Sequence, residues 1–462
     1  MNDLSTIREL DAALAFMTKV AQQSGQSTRG MGALAALSLI AARAQCERYD
    51  PSDWYKLQQM VREQADDSSR QIHEAILRPL NQLVPTDYAV RLVSLILATG
   101  RMTLRAWVDH LGSLCVGTTP QAQGLFAQWI DKAVAMASDD AADLGPLHTP
   151  TNVVHTIVDL VWEPSAVTIL DPACGTGAFL ASAFSRTQKG DDHSRPHLVG
   201  VEINADLAAV ATLRLSLLGA FDPTVISGAR QPGSGEKFDL ILSSPPFGMN
   251  MSKAELDALN LQDAFRDLSR LSAESAFVAY AADRLTPHGR AALLIPPGFL
   301  YREDDGKVRR ELASRHQVAG VVMLPKGVLA PATKLAPAVI LLRGRAANAD
   351  QKTVFVDATH LGRKERRRHV LDDGDRAAIA ETVKTGRPAS NQIKVTLVDD
   401  RRLRDERYDL RPETYLREQA EQVHRRPLTE RMAEVADLET RYADLARTTD
   451  DLIRRLSGPG AV

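Results

Sequence analysis

Val167-Thr168-Ile169-Leu170-Asp171-Pro172-Ala173-Cys174-Gly175-Thr176-Gly177-Ala178-Phe179 is a short β-branched run that ends in a carboxylate, turns through two glycines and opens into a run of small residues. The pattern predicts a strand over 167–170, a tight turn and a helix. Gly175 and Gly177 lack the side chains that would keep a ligand off the backbone, and a helix N-terminus points its free N–H groups at the same place. Asp171 stands where it can accept hydrogen bonds from a ligand ammonium or from the loop. A Gly-x-Gly turn alone is weak evidence, because any sharp strand-to-helix turn favours glycine.

The next strand adds weight. A nucleoside cofactor on such a sheet needs a carboxylate at the end of the second strand to hold its ribose hydroxyls. Leu198-Val199-Gly200-Val201-Glu202 supplies one. Standing alone, Glu202 reads better as a surface acid after a strand, but its distance from the glycine turn favours the ribose role. Further strands are expected over 238–243, 291–295, 318–323 and 338–342, with 197–201 as the second, alternating with helices. That alternation predicts an α/β fold with a parallel sheet and helical crossovers, a Rossmann-like arrangement.

Upstream, 4–137 reads as helical almost throughout, with amphipathic stretches over 7–22, 53–83 and 120–137. The expected organisation is a helical N-terminal domain over 1–145, a central domain over 146–360, and an Arg-rich segment with a terminal helix over 361–462. From Val435 a heptad pattern appears: Val435, Tyr442, Thr449 and Leu456 on one line, with Leu438, Leu445 and Leu452 beside it. Such a helix either meets a partner chain or folds back on its own domain.

Composition narrows the class. With 56 Lys and Arg against 58 Asp and Glu, no global positive field draws the 462-residue chain to nucleic acid, so any grip on DNA must be local or supplied by a partner. Three scattered cysteines, Cys46, Cys115 and Cys174, fit neither a disulfide framework nor a zinc site, and point to a reducing, cytoplasmic setting. The apolar run 33–42 is too short to span a bilayer and is read as a buried helix, so no membrane role is expected. No His, Cys or carboxylate cluster at ligand spacing surrounds His148, and no metal is expected.

The expected strand 238–243 runs into Ser244-Pro245-Pro246-Phe247-Gly248. Two prolines stiffen the loop, remove two donors and leave carbonyls free to accept hydrogen bonds, while Phe247 offers a flat apolar face. An exocyclic amine is a poor nucleophile because its lone pair is delocalised into the base. A site that accepts its hydrogens and stacks its ring helps it attack a sulfonium methyl, once the base has been rotated out of the duplex.

These residues resemble the N6-adenine DNA methyltransferases, specifically the modification subunits of type I restriction-modification systems. The resemblance covers 147–415, and includes His148-Thr149-Pro150 before a helix, Asp171 to Phe179, Glu202, Ser244 to Phe247, Gly289 to Pro296, Val321 to Pro325 and Val354 to Ala358 in the family's order. It implies a class I methyltransferase sheet and S-adenosylmethionine held by Thr149, Pro150, Asp171, Ala173, Gly175, Thr176, Gly177, Phe179 and Glu202. It implies catalysis by Ser244, Pro245, Pro246 and Phe247. It also implies double-stranded DNA as substrate within a restriction-modification or related phage-defence complex. The partners so implied are a specificity subunit, a restriction subunit and a second methyltransferase subunit, with the terminal heptad and Tyr408-Asp409-Leu410-Arg411-Pro412 as the expected docking surface.

Two positions depart from the family pattern. Ser244 stands where the family opens its catalytic loop with Asn or Asp, and serine there resembles the N4-cytosine enzymes. Ala229, in Ile226-Ser227-Gly228-Ala229, stands where relatives carry an Asp for the cofactor's adenine amine. Losing a charge-assisted bond costs about 1.5 to 3 kcal/mol unless Asp222 or another group replaces it. Three readings therefore stay open: an N6-adenine methylase, an N4-cytosine methylase of the same fold, and a silent methyltransferase-shaped subunit that binds DNA or partners. The basic run Arg363, Lys364, Arg366, Arg367 and Arg368 is either a solvated face or a phosphate contact. Asp239 and Phe277 are expected to be structural.

Overall fold

The computed structural model describes residues 2–24, 29–63, 68–112, 149–187, 195–233, 235–261, 271–330, 333–345, 351–365, 368–416, 435–436 and 438–449. The expected helix over 120–137, His148, Cys115, Arg366, Arg367, Leu452 and Leu456 lie outside these residues. Two compact units are present, Met1–Pro412 and Glu413–Val462.

The first unit opens with helices α1 (Asn2–Ser24), α2 (Arg29–Tyr49), α3 (Pro51–Arg62), α4 (Ser68–Leu80), α5 (Thr86–Leu97) and α6 (Arg101–Gly112). Helix α2 is apolar on nearly every side because its neighbours cover it, and Ala33 to Ala42 are all buried. Among the described residues no helix is long and apolar enough to cross a membrane.

Helix α7 (Thr151–Val161) then leads into the sheet, formed by β1 (Thr168–Asp171), β2 (His197–Glu202), β3 (Thr224–Ser227), β4 (Phe238–Ser243), β5 (Leu285–Ile295), β6 (Val318–Met323), β7 (Ala338–Arg343), β8 (Thr353–Asp357) and, at the far edge, β11 (Lys394–Val398). Their order is β11-β8-β6-β7-β5-β4-β1-β2-β3. Between the strands lie α8 (Ala178–Thr187), α9 (Ala205–Leu217), α10 (Lys253–Leu259), α11 (Ala273–Arg284), α12 (Gly306–Ser314) and α13 (Asp373–Thr385), and α14 (Asp400–Asp405) follows β11. A two-stranded hairpin, β9 (Arg363–Glu365) and β10 (Arg368–Val370), stands apart from the main sheet.

The expected parallel sheet with helical crossovers is present on one side, and the whole sheet is mixed. Strands β3, β2, β1, β4 and β5 are mutually parallel, but β7 is antiparallel to both β5 and β6, and β11 is antiparallel to β8. A parallel return needs a long crossover, usually helical. The connection from Met323 to Ala338 carries Pro325, Pro331 and Pro337 and forms no helix among its described residues, so the chain returns antiparallel. The strand order reverses at β1, whose neighbours are β2 and β4, and this is where an open α/β sheet leaves a crevice at its carboxyl edge.

Two cores result. The helical layer α1 to α6 buries Leu14, Met17, Ile40, Trp54, Trp107 and their neighbours in one cluster, and Leu207, Val210, Leu213 and Leu217 of α9 belong to it. Ala208, Ala211 and Leu215 of the same helix belong to the second cluster, built on the sheet with Ile169, Leu240, Val322 and Val356.

Candidate active site at the carboxyl edge of the sheet

The glycine turn after β1 is held from three sides. Cys174 N–H donates to Val201 O at 2.8 Å, Gly175 N–H donates to Glu202 Oε2 at 2.9 Å, and Arg214 of α9 donates to Thr176 O at 3.4 Å. Gly175 and Gly177 take φ of 53° and 75°, the left-handed region in which a side chain is strained. Glu202 Oε1 accepts from Asn204 N–H at 2.8 Å, so each carboxylate oxygen has one partner and retains a further lone pair. Burial pushes the Glu202 carboxyl above its ordinary range, against these backbone donors.

Asp171, the last residue of β1, is wholly buried. Its Oδ1 accepts from Ala173 N–H at 3.1 Å. Burial pushes its carboxyl up to about 7, partly offset by the Ala173 N–H and the Ser243 hydroxyl, while the charge of Glu202 adds to the rise. Ser243 ends β4 alongside, yet no well-formed hydrogen bond joins the pair: Asp171 Oδ2 and Ser243 Oγ are both buried without a partner. Gln231, after β3, donates its Nε2 to Pro172 O at 3.2 Å and leaves its own buried Oε1 unpartnered. The carbonyl at Pro172 fixes this orientation, because only the NH2 end of the amide can face it.

Beside the turn, β4 delivers Ser244, Pro245, Phe247 and Gly248 to the wall of a cleft of about 490 Å³. Thr149, Glu274, Pro296 to Gly298, Tyr301, Arg302, Leu329, Thr333 and Leu335 complete the lining. The size and the mixture of apolar surface with a few polar groups suit a flat heteroaromatic ligand. Asp239 lies below the site and is structural: its Oδ2 accepts from Val167 N, Thr168 N and Thr168 Oγ1, and its Oδ1 accepts from Thr286 Oγ1, tying β1 to β5 through β4.

The sequence-predicted residues thus fall into two adjoining groups. Asp171, Ala173, Gly175, Thr176, Gly177 and Glu202 surround the turn after β1, while Thr149 and the Ser244 to Phe247 loop face the cleft. Pro150 precedes the first turn of α7 and Pro246 sits half-buried in the loop. Phe179 packs into the sheet core rather than standing open, and Phe277 on α11 is buried. Ala229 is exposed. Gln231, Glu274, Tyr301 and Arg302 were missed by the sequence reading. Glu274 carried a usable signal, an acid in an apolar helix followed by Phe277. Among the described residues no group of three or more His, Cys, Asp or Glu is placed to hold a metal.

A sheet of this order, with a glycine turn after β1, an acid closing β2 and a proline-rich loop after β4, is that of the class I methyltransferases. A solved type I restriction-modification methyltransferase subunit from Streptococcus thermophilus has the same fold, with a TM-score of 0.67 at 16% identity over 88% of this chain and 99% of that one. A family model described as N-6 DNA methylase matches residues 133–424, more than half of the chain, and the chain belongs to that family. Among curated relatives, the EcoEI type I restriction enzyme methylase subunit of Escherichia coli is 29% identical over 243 residues, 50% of this chain and 48% of that protein. The type II restriction enzyme and methyltransferase RM.BcgI of Heyndrickxia coagulans is 26% identical over 256 residues, 50% of this chain and 37% of that protein. The chain therefore spans half or less of the length of these two relatives.

Proposed function

We propose that this chain is the methyl-transferring subunit of a DNA modification complex, acting from S-adenosylmethionine on the exocyclic amine of an adenine turned out of the duplex. The observation that carries the reading is the adjacency of two sites at the ends of neighbouring strands: a glycine turn bordered by unpartnered acceptors after β1, and the Ser244 to Phe247 cleft after β4.

The residues fit the cofactor. Asp171 Oδ2 and Gln231 Oε1 are buried acceptors in want of donors, and Glu202 keeps a lone pair on each oxygen. A ligand with an ammonium, two ribose hydroxyls and an aromatic amine satisfies all three. On this assignment Asp171 takes the ammonium, Glu202 the hydroxyls, and Gln231 the adenine amine, filling the role that Ala229 leaves open. When bound, the cofactor supplies a methyl group on a positively charged sulfur. The protein's own contribution is position: Pro245 and Ser244 present acceptors to the target N–H groups, Phe247 stacks the ring, and the lined cleft keeps water from the nucleophile.

Transfer of an isotopically labelled methyl group to DNA by the complete assembly, followed by nucleoside analysis, tests this. Label in N6-methyladenine is expected; label in N4-methylcytosine supports the second reading, which Ser244 favours because a hydroxyl stands where an amide is usual. No transfer refutes both and leaves a binding role.

Sequence specificity comes, on this reading, from a specificity subunit, in a cytoplasmic complex that includes a restriction subunit or a second copy of this chain. The heptad offers the surface: Val435, Leu438, Tyr442 and Leu445 are all exposed. The Tyr408 to Pro412 segment does not, because it packs on the chain itself, with Leu410 fully buried, its N–H on Leu300 O and Arg411 over the Tyr301 ring. Removing residues 435–462 is expected to abolish co-purification with the specificity subunit, and retained binding refutes the docking assignment.

A further inference from the structure

Two atoms in the cleft wall remain unsatisfied, and they are of opposite character. Glu274, on α11, is completely buried; its Oε1 accepts from Gly248 N–H at 2.8 Å, and its Oε2 has no partner. Arg302, beyond the turn that follows β5, forms an ion pair with it, Nη2 lying 3.7 Å from Glu274 Oε1, too far for a hydrogen bond, and that Nη2 is buried with no hydrogen-bond acceptor. A buried polar atom left without a hydrogen bond is unfavourable, so both atoms favour a ligand that pairs them. Both residues line the same cleft as Ser244 and Phe247.

Neither group is free to turn away. The Gly248 bond fixes one oxygen of Glu274 and so the direction of the other. Arg302 Nε donates to Asp305 Oδ2 at 2.9 Å, and Asp305 is itself gripped through Oδ1 by the hydroxyls of Ser272 and Ser275 at the start of α11. A rigid acceptor beside a rigid donor is complementary to a ligand edge that presents a donor beside an acceptor. An exocyclic amine next to a bare ring nitrogen has that pattern, in adenine and in cytosine alike. Thymine offers a carbonyl beside a ring N–H, which is the reverse. Glu274 is bonded through Oε1 to Gly248, at the end of the Ser244 to Gly248 loop, which places its carboxylate beside the segment that the reacting amine must approach.

We propose that Glu274 and Arg302 read the target base: Glu274 Oε2 accepts from its exocyclic amine and Arg302 Nη2 donates to the adjacent ring nitrogen. The pair supplies from α11 the firm acceptor that Ser244, with its single hydroxyl, does not. The inference rests on the methyl-transfer reading for the identity of the cleft, and its test separates the two.

Short all-thymidine oligonucleotides carrying one central deoxyadenosine, deoxycytidine or purine deoxyriboside are titrated onto the full chain in the presence of S-adenosylhomocysteine, with fluorescence anisotropy as the readout. The deoxyadenosine and deoxycytidine strands are expected to bind about tenfold tighter than thymidine alone, the worth of one to two hydrogen bonds. Purine, lacking the amine, loses most of that gain. In E274Q the amide oxygen keeps the Gly248 bond and the NH2 replaces Oε2, so the preference disappears while the fold, checked by thermal melting, is retained. R302M also flattens it. Equal binding of all strands by the unmodified chain, absence of binding, or an unchanged preference in E274Q overturns the proposal. S-adenosylhomocysteine affinity, measured separately by calorimetry, keeps the readings apart: affinity without base preference overturns the pair, and base preference without affinity supports the pair while overturning the transfer reading.

Discussion

Replacing Asp171 by Asn tests the cofactor assignment through its proton. In the native protein the carboxyl titrates near 7, so it is half-ionised at neutral pH. A ligand ammonium beside Oδ2 requires the ionised form, and below pH 7 affinity is expected to fall about tenfold for each pH unit. In Asp171→Asn the amide oxygen keeps the Ala173 N–H and an NH2 replaces Oδ2, removing a charge-assisted bond worth about 1.5 to 3 kcal/mol; affinity at pH 8 drops roughly tenfold to a hundredfold. Stability moves the other way. Because the folded carboxyl titrates above its ordinary value of 3.8, the native state binds the proton more tightly than the unfolded chain, and stability declines as pH rises from about 4 to about 7. The Asn variant escapes that decline and melts higher than the native protein at pH 8. The assay is calorimetric titration with S-adenosylhomocysteine from pH 5.5 to 8 in buffers of different ionisation enthalpy, with melting curves in parallel. An affinity that is flat with pH in the native protein, or a slope that persists unchanged in the variant, refutes the reasoning.

Phe247→Ala is expected to raise KM for DNA roughly tenfold to a hundredfold, since stacking a base on an aromatic ring is worth about 1 to 3 kcal/mol, and to leave cofactor affinity unchanged in calorimetry. Gly200→Ala places a Cβ 2.9 Å from Cys174 Sγ and 3.1 Å from Leu180 Cδ1. Overpacking of this kind costs about 1 to 3 kcal/mol, read as a lower denaturant midpoint, and it disturbs the glycine turn enough to weaken cofactor binding. The β9–β10 hairpin carries exposed Arg363, Lys364 and Arg368, and His369 N–H donates at 3.1 Å to Gly327 O, in the connection that also supplies the cleft wall. Changing those three basic residues to Ala is expected to lower the slope of log affinity against log salt for duplex DNA by about 0.9 for each phosphate no longer neutralised. An unchanged slope makes the hairpin a solvated face.

What the sequence disclosed was local. The strand, glycine turn and helix around Asp171 are contiguous in the chain, so their pattern survives without knowledge of the fold, and 238–243 coincides with β4 at both ends. The strand before Asp171 is expected one residue early, because Val167 is apolar yet 61% exposed; β3 and β11 are not expected because edge strands carry weaker alternation, and β8, whose Val354 to Asp357 run is noticed only through the resemblance, is not expected as a strand either. The antiparallel entry of β7 left no mark in its composition: a buried strand reads the same in either direction. The remainder of the cleft was hidden for a different reason. Glu274, Arg302 and Leu335 come from three separate segments, and only the return of β7 between β5 and β6 assembles them.

Helix α9 is a wall shared by two interiors, with Leu213 facing one and Ala211 the other, and its Arg214 grasps the carbonyl of Thr176. The N-terminal bundle and the glycine turn after β1 are thus joined through a single helix. On the methyl-transfer reading, a load placed on that bundle by a partner or a duplex would reach the turn as a tilt of this one rod, so that assembly would bear on the loop's geometry.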